Sequence, residues 1–122
     1  MLSRFWPAAL VLLALPTAQA HHSGAAFDNA QPVTLKGAVK AFQWTNPHCY
    51  IQVLVSDAQG TETEWSLEMA APMYLYNLGW RPSTVKPGDV ISATVFPLRN
   101  GEKGGLVQVV LDAAGNGIGR KP

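Results

Sequence analysis

Between Val33 and Ala113, apart from one short stretch, apolar side chains recur mostly at every second position in brief runs closed by Gly, Pro, Asn or Asp. That period of two commits the chain to β structure. The first run, Val33 to Trp44, places Val33, Leu35, Val39 and Ala41 on one parity with Gly37 among them. A glycine inside a strand marks a bulge or a sharp bend, which is what a strand shared between two parts of a closed sheet requires. Thr45 to His48 is a turn, because Pro47 disfavours helix at Asn46 and has no N–H to give a ladder. Cys49 to Ser56 is a second strand with Cys49, Ile51, Val53 and Val55 on one face, and Asp57 to Gly60 turns it into a third, Glu62 to Met69. In that third strand Thr63, Trp65, Leu67 and Met69 are expected inside, and Glu62, Glu64, Ser66 and Glu68 in water.

Ala71 to Leu78 reads as a short helix, with Pro72 in its first turn and Gly79 placed to end it. Lys86 to Asp89 is a turn signature, and Val90 to Leu98 and Gly105 to Ala113 are the last two strands, joined through Arg99 to Gly101. Three strands, a helix and two more strands make an all-β chain whose expected architecture is a five-stranded OB-like barrel with one short helix. A small α+β sandwich is the alternative.

The N-terminal segment has a different character. Arg4 is the only charge before His21, an apolar run follows from Phe5 to Leu15, and Ala18, Gln19 and Ala20 fit a small-residue cleavage site. Residues 1–20 are therefore expected to be a secretion signal cleaved after Ala20, too short to span a bilayer, leaving a soluble periplasmic or secreted protein with no integral membrane segment. Residues 21–31 read as an irregular arm, 32–113 as the β domain and 114–122 as a flexible, Gly-rich tail. Loss of Arg4 leaves eight basic against eight acidic residues, a balance that argues against a nucleic-acid partner and against anionic membrane surfaces. Cys49 is the only cysteine, so no internal disulfide forms and the domain must rest on its core.

The chemically pointed residues are histidines. Cleavage after Ala20 would free His21 with two nitrogens, its α-amine and its imidazole, next to His22. The amine titrates near 7.7–8.0, so Cu(II) can displace its proton at neutral pH, and nitrogen ligands in a tetragonal arrangement suit that ion. His48 would supply a third nitrogen, so that His21, His22 and His48 form the candidate metal site and copper the candidate metal. If cleavage fell before Ala20, His22 would be third in the chain, which also binds Cu(II) through the amine and backbone amides. A solvated histidine pair at a loose end is the competing reading. The site requires the arm to reach the far end of the first strand, which would measure about 36 Å if straight.

Pairing the second and third strands across the Asp57–Gly60 turn sets Tyr50 opposite Glu68 and gathers His48, Cys49, Glu68, Met69 and Met73 at one barrel end. Soft sulfurs there would suit Cu(I), but Cys49 and Met69 share parity with the core and packing is the stronger claim on them. Phe42, Trp44 and Tyr50 fall on the non-core parity. They are the candidate ligand-binding residues of an alternative function, a non-catalytic module for a peptide, glycan, other small ligand or envelope protein. No nucleophile–base arrangement and no phosphate loop is legible, so no catalytic residue is assigned.

Several strings together resemble an exported bacterial family, domain of unknown function family 6152. They are His21-His22-Ser23, Val33 to Val39, Trp44 to His48, Glu64 to Glu68, Leu78-Gly79-Trp80, Lys86 to Asp89, and Leu98 to Gly105. The resemblance covers nearly the whole chain after the signal and implies a periplasmic or secreted protein with no established activity. The chain departs from that pattern after the third strand, where Met69-Ala70-Ala71-Pro72 replaces a glycine-containing stretch.

Overall fold

The computed structural model of the protein describes residues 24–119. A 3-10 turn, Gly24–Ala26, leads into five strands and a helix: β1 Val33–Gln43, β2 Tyr50–Ser56, β3 Glu62–Glu68, α1 Pro72–Asn77, β4 Val90–Pro97 and β5 Gly104–Leu111. The strands close into a barrel in the order β1-β2-β3-β5-β4, with every pair antiparallel except β3–β5. With α1 between β3 and β4, this is the OB-like barrel that the order of the runs implied, and it sets the α+β sandwich aside.

Closure depends on β1 serving two neighbours. Val33–Ala38 pair with β4 and Ala38–Gln43 pair with β2. Gly37 lies where the strand changes partner, and a Cβ there would run into the backbone carbonyl of Leu54 on β2. The bulge itself falls three residues later, at Lys40 between Val39 and Ala41. One extra residue in a strand reverses the parity of everything after it. Phe42 and Trp44, expected on the non-core face, are therefore packed against the core instead, which corrects their placement.

Inside the barrel lie Val39, Ile51, Val53, Leu67, Ile91, Val95, Val107 and Val110, joined by Leu75 of α1, Trp80 and Val85. Full burial of such side chains stabilises by about 1.5–3 kcal/mol each, which lets a domain without a disulfide hold together. Cys49 and Met69 belong to this core, as their parity implied. The helix ends at Gly79, whose φ of 92° suits only glycine comfortably.

The described parts of both terminal segments are hydrogen-bonded to the barrel. Phe27 is buried and bridges Leu98, Asp28 N–H donates to the Pro97 carbonyl (2.8 Å) and Arg99 N–H to that of Ala26 (2.9 Å), so the described part of the arm extends the end of β4. The stretch from Ala114 to Gly119 turns back along β5, with Gly117 bridging Leu111. The Asp112 carboxylate accepts the N–H groups of Ala114 and Asn116, Ile118 N–H donates to the Val110 carbonyl, and Ile118 packs on the core. A side-chain acceptor for turn N–H groups outweighs glycine's freedom here. The proposed signal, His21 and His22 lie outside the described residues.

Candidate functional site

His48 is held from both sides of its turn. Thr45 Oγ donates to the His48 carbonyl (2.7 Å), the Asn46–Pro47 peptide is cis, and Cys49 N–H donates to the Ala70 carbonyl. The imidazole Nδ1 lies 3.1 Å from the Met69 carbonyl oxygen and 3.6 Å from Glu68 Oε1. A carbonyl only accepts, so in the neutral ring this bond puts the proton on Nδ1 and leaves a lone pair on Nε2. Histidines that bind metals are oriented by such a second bond. The side chain is 38% exposed.

Glu68 is the residue that strand parity misplaced. Its register opposite Tyr50 is as the turn length implied, yet it is only 7% exposed rather than in water. The cause is non-local. Only Ser66–Glu68 of β3 pair with β5, and only with its first residues, Gly104–Leu106. Such stagger is what tilting strands into a closed barrel demands. It sets the end of β3 beside Leu98 and the arm, and a cavity of about 200 Å³ remains there, lined by Phe27, Leu98, Tyr50, Ser66, Glu68 and Lys103 among others. Phe27 of the arm and His48 thus both lie near Glu68, and β1 need not be retraced.

Tyr50 feels this setting. Burial pushes its phenol above the ordinary tyrosine range and the Glu68 carboxylate adds to the rise. A folded-state value raised above the unfolded one, about 10, contributes stability below that pH and loses it as the phenol ionises. Urea midpoints are therefore expected to fall above about pH 10, less steeply in Tyr50→Phe. Glu68→Gln should move the Tyr50 phenolate absorbance to lower pH, and an unmoved titration would separate the two groups.

Cys49 sits behind the site, wholly buried, its thiol raised chiefly by desolvation. That suits packing better than Cu(I) ligation. Met73 of the proposed soft set points outward, 80% exposed. It lines an open groove of about 410 Å³ with Trp44, Asn46, Pro72 and Tyr76. Phe42 is not part of that groove; its ring meets Trp44 and Trp80 edge-on at 5.7 and 5.8 Å. The three candidate ligand-binding aromatics thus divide, with Trp44 on the groove, Tyr50 on the cavity and Phe42 against Trp80. Among the described residues no three His, Cys, Asp or Glu side chains converge to hold a metal ion, and no helix is long and apolar enough to cross a membrane.

The model of a family of unknown function, DUF6152, matches residues 9–108. No curated protein matches the chain. Among solved structures, the mitochondrial single-stranded DNA binding protein Rim1 from S. cerevisiae aligns with a TM-score of 0.47 at 12% identity, over 68% of this chain and 94% of that one.

Proposed function

We propose, on the premise that this chain belongs to the family of unknown function DUF6152, that it is an exported barrel that binds copper through its processed N-terminus and His48. The observation that carries the reading is the His48 imidazole, fixed by the Met69 carbonyl through Nδ1 with Nε2 left to ligate. The His21 α-amine and imidazole, with His22 beside them, would supply the remaining nitrogens after cleavage following Ala20. Reach supports it: Phe27 shares a cavity with Glu68, the neighbour of His48, and six residues back to His21 extend at most about 20 Å. The Glu68 carboxylate lies on the Nδ1 side, where its negative charge favours a cation bound to the ring.

The test starts from chain expressed with its leader, its mature N-terminus established by mass spectrometry and Cu(II) titrated by calorimetry. His48→Ala removes a ligand and is expected to weaken binding at least about tenfold, the least that loss of a mere supporting partner at a metal site costs. Chain that keeps its whole leader should lose the terminal chelate, because neither His21 nor His22 is then within three residues of a free amine. Equal affinity in His48→Ala would reduce the site to a chelating end without the barrel. The groove beside Trp44 favours a second reading, a module that grips a peptide, glycan or envelope protein. Absence of Cu(II) uptake beyond that of a short histidine peptide would leave that reading in place of the first.

A further inference from the structure

The cavity at the end of β3 has chemistry of its own. Glu68 lines it, nine-tenths buried, and among the described residues its carboxylate takes part in no hydrogen bond; His48 Nδ1, at 3.6 Å, gives its proton to the nearer Met69 carbonyl. A buried carboxylate costs several kcal/mol to desolvate unless it meets a cation or hydrogen-bond donors. The remaining walls suit the rest of an organic cation. Phe27 and Leu98 are apolar, and Tyr50 adds an aromatic side chain to the wall, a residue type that attracts positive charge. Ser66 Oγ accepts from the Gln52 amide at 3.0 Å and keeps a second lone pair for an ammonium donor. Glu102 and Lys103 also line the cavity, so two carboxylates and one ammonium border it, and the Lys103 ammonium lies over the Trp65 ring at 5.4 Å. Glu68 is thus the buried one of the two carboxylates at the cavity.

We infer that this cavity is a binding site for a small primary amine in its ammonium form, with Glu68 as the anionic anchor and Phe27, Leu98 and Tyr50 around the alkyl part. The site needs no metal. Its volume of about 200 Å³ exceeds the roughly 150 Å³ that holds benzene in an engineered cavity, so a short alkylammonium fits. The charged group would replace solvent at the carboxylate, and the aromatic flank would favour a cation over a neutral molecule of the same shape.

The experiment titrates n-butylammonium chloride into the ¹⁵N-labelled processed chain, kept metal-free with chelator, and follows amide shifts by NMR. Saturable shifts are expected at Phe27, Tyr50, Glu68, Gly104 and Gly105, with a Kd of about 1 mM, within reach of a ligand of five heavy atoms. n-Butanol, neutral and of nearly the same shape, should bind at least tenfold more weakly, and Glu68→Gln should weaken the ammonium by a similar factor. Linear shifts without saturation, equal binding of butanol, or unchanged affinity in a folded Glu68→Gln would each overturn the assignment. The butanol comparison uses unaltered protein, so it decides the matter even if Glu68→Gln fails to fold. Copper binding is read separately and stands or falls on its own titration.

Discussion

Gly37→Ala is expected to lower the unfolding free energy by about 3 kcal/mol, at the upper end of what overpacking costs, because the added methyl meets backbone. The Cβ would be driven onto the Leu54 carbonyl and lie 2.8 Å from Val53 Cγ1, and neither can step aside without pulling β2 away from β1. Alanine is intrinsically better than glycine in a strand by about 0.5–1 kcal/mol, so the two effects oppose and the collision wins. Gly117→Ala provides the control. It makes the same chemical change where a Cβ meets nothing within 4 Å, and it should be neutral or slightly stabilising. Urea midpoints of the two variants measure the difference directly. A Gly37→Ala protein as stable as the parent would mean that β1 does not approach β2 this closely.

Trp80→Ala should cost about 3–5 kcal/mol, the range for emptying a buried aromatic site. Trp80 is 1% exposed and binds three parts of the molecule together. Its backbone N–H donates to the Leu75 carbonyl of α1 (2.9 Å), its ring meets Phe42 of β1, and Gly119 lies so close that any side chain there would strike the indole. The indole Nε1–H finds no hydrogen-bond partner among the described residues. Trp80→Phe removes that donor along with some volume, so its cost should stay well below that of alanine. Because Gly119 rests on the indole, amide exchange at Ile118 should quicken in Trp80→Ala more than at Ile51. Unchanged exchange at Ile118 would detach the C-terminal hairpin from the core.

What was legible in the residues was local. The Asp57–Gly60 turn between two alternating runs is enough to set Tyr50 across from Glu68, because a tight turn determines register on both sides. Gly37 announced a contorted first strand, and Pro72 with Gly79 bracketed α1. The parity of Cys49 and Met69 already placed them in the core. His48 was singled out by its residue type alone, and nothing nearby in the chain indicated that the Met69 carbonyl would orient it.

The order of strands and helix, the β2–β3 register and most of the core followed from the sequence by itself, since each depends on neighbours a few residues apart. Tertiary structure alone decided the face that Phe42 and Trp44 present, the burial of Glu68, and the approach of both Phe27 and His48 to it. The first turns on a one-residue bulge that β1 adopts to serve β2 and β4 together. The others turn on the stagger that closes β3 against β5. Both are conditions of closing a five-stranded sheet on itself, and no stretch of the chain short of the whole barrel meets them.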